Sequence, residues 1–243
     1  MKEAKKDHSS LSVVIPLYNE VMRLENLSKV YAYLKKAKLS FEVILVNDGS
    51  ADGTLRKIED LSKKYKFTVI SYSKNRGKGY AIKKGVAVAG GDYILFTDID
   101  LSVPIGEFNR FLRHLETGDI LIGSRRLSNS KIKRRQSFLR ENLGRIFTFL
   151  SAMMLGLRVS DFTCGFKCFP KAAKNLFKKQ RIDRWGFDCE ILFLAKRMGF
   201  KIREIPVDWS NDPKSKVSLP KDIISSIWDL CKIRYYQYGK LYF

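Results

Sequence analysis

The chain has 243 residues, of which 45% are hydrophobic and 29% charged, as in an ordinary globular protein of one domain or two small ones. Four cysteines are too few for a disulfide scaffold, and no histidine or cysteine cluster completes a zinc set around Cys164 and Cys168. Lysine and arginine outnumber aspartate and glutamate by 46 to 25, a formal net charge of +21. This excess favours a polyanionic partner, which could be nucleic acid, anionic lipid or a phosphorylated substrate.

No segment is predicted to cross a membrane. The N-terminal residues MKEAKKDHSS are charged and lack the apolar core of a signal peptide. The best candidate span, IFTFLSAMMLGL at residues 146–157, is shorter than the roughly 20 residues that a spanning helix needs. We therefore expect a cytosolic protein with reduced thiols that is soluble or lies peripherally on the cytoplasmic side of a membrane.

The first half of the chain alternates predicted strands with predicted helices. The strands are LSVVIP, FEVILVN, FTVISY, YILFT and DILIGS. Helical spacing covers residues 20–37, a second helix follows a cap at Ser50 or Asp52, and a third begins after Gly79. Apolar strands joined by helices predict an α/β fold with a parallel sheet covered on both faces.

The second half is more basic and begins with RRLSNSKIKRRQSFLRENLGR at residues 125–145. Apolar residues continue at helical spacing through this stretch to Met154, so residues 131–155 are predicted as a membrane-interface helix. A solvated lysine-rich surface is the alternative. A further helix is predicted from Phe187 to Met198.

The C-terminal residues 220–243 form an amphipathic segment. Ile224, Ile227, Trp228 and Cys231 are predicted to share one side, and several tyrosines surround them. The aromatic residues of this segment suit the same membrane interface: Trp228, Tyr235, Tyr236, Tyr238, Tyr242 and Phe243. Packing against the domain or against a second copy of the chain, as a homo-oligomer, is the alternative.

Polar, turn-rich segments follow each predicted strand, at the edge where open parallel sheets bind ligands. They are PLYNE (16–20), NDGSADGT (47–54), KNRGKG (74–79) and TDID (97–100). The first strand lacks a G-x-G-x-x-G dinucleotide fingerprint, and the Gly-Lys-Gly turn lacks P-loop spacing. Asp48-Gly49-Ser50 alone could be no more than a turn and a helix cap.

Asp98 and Asp100 end the most apolar strand. Two neighbouring carboxylates repel each other unless a cation lies between them, and Mg²⁺ or Mn²⁺ commonly binds one or two carboxylates together with phosphate oxygens. An isolated D-x-D is common and could be a surface turn. Its place on the ligand-binding edge, facing a loop with lysine and glycine, favours a metal-assisted nucleotide-binding enzyme.

Taken together, these motifs resemble glycosyltransferase family 2, whose members have the Rossmann-like GT-A fold and use nucleotide-diphosphate sugars. The matching segments of the first half are VVIPLYNE, VNDGSADGT, NRGKGYAIKKG, TDIDLSVP and IGSRR. In the second half, DFTCGFKCF, RWGFDCEILFLAKRMGFKIREIPVDW and SKV resemble the dolichyl-phosphate glucosyltransferases, with the mannose synthases as close relatives. The resemblance covers residues 11–219 and implies a GT-A domain there, after an N-terminal tail of residues 1–10.

The resemblance implies a nucleotide site and a metal site at the strand ends. The implied nucleotide-binding residues are Pro16, Tyr18, Glu20, Asp48, Gly77, Lys78 and Asp98. Asp98 and Asp100 would bind the metal and act in catalysis. The mannose synthases often carry another ligand two residues after the second aspartate, where this chain has Ser102, a weaker ligand.

The resemblance also implies an acceptor-phosphate site formed by Arg125, Arg140, Arg145 and Lys216, with Arg125 counted as catalytic. Lys216 of SKV would close over the phosphates. The arginine often found before that motif is replaced here by Pro213-Lys214.

The resemblance implies an inverting transfer of a sugar to dolichyl (polyprenyl) phosphate, and it favours glucose from a UDP-sugar as the donor. GDP-mannose and UDP-N-acetylglucosamine stay open as alternative donors. A nucleic-acid-binding protein is disfavoured because the basic run alternates with aliphatic residues and no reader module is present. Asp161 and Glu190 are not assigned as a general base, because either could equally be a cap or an ion-pair partner.

Overall fold

The computed structural model describes residues 10–37, 39–212 and 219–242. The strands in this part of the chain are β1 (Ser10–Leu17), β2 (Ser40–Asp48), β3 (Thr68–Tyr72), β4 (Tyr93–Thr97), β5 (Ile120–Ser124), β6 (Ile132–Arg134), β7 (Phe166–Pro170), β8 (Ile202–Pro206) and β9 (Trp209–Ser210). The α-helices are α1 (Asn26–Lys36), α2 (Thr54–Ser62), α3 (Lys78–Val88), α4 (Phe108–Leu112), α5 (Phe138–Leu155), α6 (Lys174–Lys179), α7 (Phe187–Arg197) and α8 (Leu219–Tyr238). Short 3₁₀ turns lie at Ile105–Glu107, Leu115–Thr117 and Lys171–Ala173.

A seven-stranded sheet has the order β3-β2-β1-β4-β7-β5-β8. Six of its strands run in one direction, and β7 runs antiparallel between β4 and β5. The predicted, predominantly parallel sheet is confirmed. β6 and β9 form a separate parallel pair.

Each face of the sheet packs against helices, because alternate side chains of a strand point to opposite faces. Val14 of β1 belongs to the core cluster that includes α3, α5, α7 and α8. Val13 and Ile15 belong to the cluster on the other face, which includes α1 and α4. This three-layer arrangement leaves the carboxyl ends of β1, β2 and β4 free to form a site.

Two predicted helix starts are wrong. α1 begins at Asn26 rather than near residue 20, because turns occupy residues 21–25. Arg23 in these turns forms an ion pair with Glu20. The predicted interface helix over residues 131–155 begins only at Phe138, because Ile132–Arg134 forms β6 and pairs with β9. Backbone pairing with a distant strand overrides helical spacing there.

The C-terminal helix α8 is part of the folded unit rather than a separate tail. Leu230 and Ile233 are fully buried in the core, whereas Ile224 and Trp228, on the predicted apolar side, are 69% and 63% exposed. Tyr242 is also buried, so its assignment to a membrane interface is wrong. Phe243 lies outside the described residues.

No helix in the described ranges is long and apolar enough to cross a bilayer. All four cysteines are free thiols, in agreement with the sequence prediction.

Candidate active site

A cavity of about 460 Å³ opens at the carboxyl ends of β1, β2 and β4. Nine of the predicted site residues line it: Pro16, Tyr18, Glu20, Asp48, Gly77, Lys78, Asp98, Asp100 and Arg125. They meet because β1 lies between β2 and β4 in parallel register, which brings the three strand ends to one edge. The structure thus brings together the predicted nucleotide and metal residues.

Asp48 organises the turn before α3. Its carboxylate accepts hydrogen bonds from the backbone N–H of Arg76 (2.7 Å), from the backbone N–H of Gly77 (2.8 Å) and from the Asn75 amide (2.9 Å). Gly77 has a φ of +112°, and a Cβ there would lie 2.6 Å from the Asp183 carbonyl oxygen. Only glycine suits this position. Asp48 therefore shapes the wall of the cavity as well as lining it.

Lys78 begins α3 and forms an ion pair with Asp98, with 2.6 Å between Nζ and Oδ1. Burial works against the charge of the ammonium, but the attraction of Asp98 and Asp188 outweighs burial, so the pKa of Lys78 is raised. The ammonium thus stays charged beside the predicted metal ligands.

Asp100 is held in a tight turn. Leu101 has a φ of +50°, which is uncommon for a residue with a side chain, and the Asp100 Oδ1 atom accepts the backbone N–H of Ser102 at 2.8 Å. Burial and, next, the charge of Asp98 raise the pKa of Asp100. A site that disfavours its own carboxylate charge would gain from a bound cation.

The residues present fit a divalent metal that shares its coordination with phosphate. In the described ranges no group of three or more His, Cys, Asp or Glu side chains is arranged to hold a metal alone. Asp98 and Asp100 supply two oxygen-bearing side chains facing the same cavity. Mg²⁺ and Mn²⁺ commonly bind in this way, with one or two carboxylates and the phosphates of the substrate.

Arg125, which follows β5, is fixed by Asp161. Its Nε and Nη2 atoms each lie 2.7 Å from a carboxylate oxygen, and its backbone N–H donates to the same carboxylate at 3.0 Å. Burial alone would raise the pKa of Asp161, but Arg125 and its hydrogen bonds lower that pKa to about 2. Asp161 is therefore an ion-pair partner, one of the two roles that the sequence left open.

A second cavity, of about 620 Å³, adjoins the first and is basic. The cationic residues that line it are Lys78, Arg125, Arg126, Arg135, Arg140 and Arg145, against the carboxylates Glu141 and Asp188. Burial lowers the pKa of Arg126, and the neighbouring cations Arg125 and Arg145 lower it further against the pull of Asp161. An anion in this cavity would relieve the repulsion between the guanidinium groups.

The predicted acceptor residues Arg140 and Arg145 lie on α5 in this second cavity, whereas Arg125 borders both cavities. Lys216 falls outside the described residues. Sequence reasoning missed Arg126 and Arg135. Both belong to the basic run, but the sequence does not show that they face a cavity. The Ser160 carbonyl oxygen accepts a hydrogen bond from Nη1 of Arg126 at 3.0 Å, and Arg135 directly follows β6, which pairs with β9.

A buried ion pair behind the cavities was also missed. Lys167, in the reversed strand β7, donates to the Asp188 carboxylate at 2.5 Å and to the Cys164 carbonyl oxygen at 2.6 Å. Glu190, on the same helix as Asp188, accepts the backbone N–H of Ile182 and the Tyr242 hydroxyl. The RWGFDCE motif contains both acids, but nothing in the sequence reveals their partners.

The fold is that of GT-A glycosyltransferases. Glucosyl-3-phosphoglycerate synthase from Mycobacterium tuberculosis, solved with Mn²⁺ and UDP, superposes with a TM-score of 0.68 at 19% identity, over 94% of this chain and 81% of that chain. Mannosyl-3-phosphoglycerate synthase from Rubrobacter xylanophilus gives 0.67 at 16% identity, over 96% and 75%.

Sequence comparison is more specific. Residues 12–177 match the family model described as Glycosyl transferase family 2. The dolichyl-phosphate β-glucosyltransferase of Dictyostelium discoideum is 33% identical over 94% of this chain and 75% of its own length. That of Homo sapiens is 34% identical over 85% of this chain and 69% of its own length. The chain belongs to glycosyltransferase family 2.

Proposed function

We propose that this glycosyltransferase moves glucose from UDP-glucose to dolichyl (polyprenyl) phosphate, with Mg²⁺ or Mn²⁺ bound by Asp98 and Asp100. The observation that carries the proposal is the order in which three surfaces of different chemistry adjoin one another. The strand-end cavity adjoins the basic cavity, and the helices α5 and α8 that wall the basic cavity carry exposed apolar side chains. A nucleotide sugar, a phosphate and a lipid chain would each find matching chemistry in that order.

The donor side is supported by the relatives and by the eight predicted nucleotide and metal residues that line the strand-end cavity. The similar curated proteins are named as β-glucosyltransferases, and the M. tuberculosis neighbour was solved with UDP and Mn²⁺. When bound, the metal supplies positive charge that offsets charge on the leaving diphosphate. Lys78 adds a second positive charge at the same edge.

The chemistry needs positioning more than proton transfer. An oxygen of the lipid phosphate bonds to C1 of glucose as the bond from C1 to the diphosphate oxygen breaks, and the electron pair leaves with UDP. In-line attack on an α-linked donor yields a β-linked product. The attacking phosphate is already anionic, so it needs no general base. Asp161 and Glu190 are engaged in hydrogen bonds and serve structure instead.

Arg125 would hold phosphate at the boundary of the cavities without reorganising. Its guanidinium group is fixed by two contacts of 2.7 Å with Asp161, so a donor aimed at the reacting phosphate is oriented before substrate arrives. Arg140 and Arg145 would hold the acceptor phosphate deeper in the basic cavity, and Lys216 would act from the segment that follows β9.

We further propose that the protein works at the surface of a bilayer, on its cytoplasmic side, where anionic lipids attract basic proteins. Phe138, Phe149 and Met153 of α5 are 85%, 67% and 63% exposed, next to the arginines of the same helix. Trp228, Tyr235 and Tyr238 of α8 are also exposed. An apolar face bordered by cations suits the boundary between headgroups and acyl chains.

The test is transfer of radiolabelled sugar onto a short polyprenyl phosphate. UDP-glucose, GDP-mannose and UDP-N-acetylglucosamine are compared as donors, with Mn²⁺ or Mg²⁺ and with EDTA. We expect glucolipid from UDP-glucose alone, abolished by EDTA and by Asp100→Asn. Transfer from GDP-mannose instead would replace the donor, and a labelled water-soluble product without labelled lipid would overturn the acceptor.

A further inference from the structure

The boundary between the two cavities is formed by residues that line both of them. These residues, which we call the neck, are Lys78, Arg125, Gln136, Thr163, Trp185 and Trp209. Three of them come from segments to which no site role has been given so far. Gln136 precedes α5, Trp185 precedes α7, and Trp209 begins β9.

The reaction decides what must occupy the neck. C1 of the sugar is bonded to the diphosphate on one side and is approached by the acceptor phosphate from the opposite side. If the diphosphate lies in the strand-end cavity and the acceptor phosphate in the basic cavity, the hexose ring has to lie between them. This step rests on the proposed function.

The neck residues differ in how much bonding capacity they keep. Arg125 is bound to Asp161, and its Nη2 atom donates to the Thr163 hydroxyl at 3.0 Å. Lys78 is paired with Asp98. In contrast, the Gln136 amide and the Trp185 indole N–H form no hydrogen bond with any residue in the described ranges, and both side chains are partly exposed.

The chain on either side of Trp185 is nevertheless held in place, at Asp183 and at Gly186. The Asp183 carbonyl oxygen accepts the backbone N–H of Tyr80 in α3 at 3.0 Å. On the other side, a Cβ on Gly186 would lie 2.4 Å from the Asp229 Cβ atom of α8, so only glycine permits this approach. The indole is therefore presented by a loop wedged between two helices.

We infer that Gln136 and Trp185 form the binding site for the donor hexose. An indole offers a broad apolar surface with one N–H, which matches a pyranose ring that has C–H groups on its faces and hydroxyls at its rim. A primary amide has two donors and one acceptor oxygen for those hydroxyls. A site that pairs with hydroxyls discriminates between sugars strongly, because the wrong sugar leaves its polar groups unpaired.

The experiment compares binding of UDP-glucose with binding of UDP by titration calorimetry in the presence of Mn²⁺. Gln136→Ala should weaken UDP-glucose binding about 3- to 10-fold, as expected for one hydrogen bond, and change UDP binding less than about twofold. Trp185→Ala should do the same, and Trp185→Phe should recover part of the loss. Gln237→Ala, on α8 and outside both cavities, is the matched control.

Unchanged UDP-glucose affinity in both alanine variants would overturn the inference, and so would an equal loss for UDP and UDP-glucose. The unaltered UDP affinity also reports that each variant has folded. A wild-type chain that binds neither ligand would overturn the proposed function and the inference with it. A wild-type chain that transfers glucose while the variants bind normally would overturn the inference alone.

Discussion

At the scale of single residues, the site is built from charged groups whose partners are fixed before any substrate binds. Asp161 is fully buried and accepts two side-chain hydrogen bonds from Arg125. A buried charge left without its partner is costly, so each half of this pair depends on the other. The contribution of the Arg125–Asp161 pair can therefore be measured as a change in the free energy of unfolding.

Asp161→Asn should lower the free energy of unfolding at pH 7 by about 3 kcal/mol, because it leaves the Arg125 charge without a countercharge. The pKa of Asp161 is lowered to about 2 from 3.8, so its ionisation stabilises the native state above about pH 4 and this stabilisation is lost as pH falls through about 2. Urea denaturation at several pH values should therefore show the wild-type and variant curves converging below pH 4. Asp60→Asn, at an exposed pair with Lys63, is the control and should change the pH profile far less, because an exposed ion pair contributes little to stability. A constant difference down to pH 2 would contradict the assignment.

Gly165, just before β7, is required by the position of Asp98. A Cβ at this glycine would lie 2.0 Å from the Asp98 Oδ2 atom and 3.2 Å from the Lys78 Nζ atom. We expect Gly165→Ala to reduce transfer more than tenfold, because the Asp98 carboxylate has to move away from the position in which we propose that it binds the metal. The stability loss should stay near 1 kcal/mol, because the displaced atoms end a side chain rather than belong to the backbone.

Gly106 provides the matched control for that substitution. A Cβ there meets no atom within 4 Å, so Gly106→Ala should keep activity within twofold and leave stability unchanged or slightly higher. Steady-state transfer and thermal unfolding measured on both variants give the comparison. Full activity in Gly165→Ala would show that Asp98 does not need its observed position.

At the scale of elements, α5 presents three different faces on one helix. Phe147 and Leu155 pack into the core, Arg140 and Arg145 line the basic cavity, and a third face exposes apolar side chains. The helix ends at Gly156, whose φ of +65° suits a glycine C-cap. This division predicts that the exposed face can be changed without unfolding the protein.

The combined substitution of Phe138, Phe149 and Met153 by serine should reduce binding to anionic vesicles at least tenfold, since each removes buried apolar area from the membrane interface. Vesicle co-sedimentation measures the effect, and unchanged thermal unfolding shows that the fold is intact. Val88→Ser is the control, because Val88 is 52% exposed on α3. Replacing Lys133, Arg134 and Arg135 by serine should weaken vesicle binding mainly at low salt. Vesicle binding that is unaffected by both sets of substitutions would contradict the proposed membrane-binding surface.

At the scale of the whole molecule, the sequence predicts what is local and misses what depends on distant pairing. The strand-end residues from Pro16 to Asp100 could be placed together because parallel strands share a carboxyl edge. The reversed strand β7 and the Lys167–Asp188 pair could not be predicted, because hydrophobic patterning does not determine which strands pair with each other. The family resemblance supplied Arg125, Arg140 and Arg145, but not Arg126, Arg135 or Gln136, which line the same basic cavity.

The C-terminal helix illustrates the same limit. Trp228, Tyr235 and Tyr238 of the predicted interface are exposed, but Tyr242 of the same predicted set is buried in the core with Leu230 and Ile233, which the apolar spacing did not single out. Contacts of Tyr242, four residues after the end of α8, hold the segment that follows the helix. The Tyr242 hydroxyl donates to Glu190 at 2.6 Å, and the Tyr242 carbonyl oxygen accepts the Lys179 ammonium at 2.5 Å.

These contacts link residue 242 to the surroundings of the basic cavity, where we propose that the acceptor phosphate binds. Glu190 also accepts the backbone N–H of Ile182, three residues before Trp185, and Ser226 of α8 lines the basic cavity. Tyr242→Phe removes a hydrogen bond to a buried carboxylate and should cost about 1–2 kcal/mol of unfolding free energy. Because α8 contributes Ser226 to the wall of the basic cavity, the proposed acceptor site, the KM for polyprenyl phosphate should rise severalfold, whereas the affinity for UDP should change less than twofold.

Tyr238→Phe is the matched control, since that tyrosine is 71% exposed on the same helix and its hydroxyl contacts only Arg234 among the described residues. Chemical denaturation and steady-state kinetics with each substrate varied in turn separate the effects on stability, acceptor and donor. If Tyr242→Phe loses stability with no change in the acceptor KM, the C-terminal anchor supports the fold alone. If stability falls and the acceptor KM rises while Tyr238→Phe behaves as wild type, the Tyr242 contacts support the wall of the basic cavity, where we propose that the acceptor binds.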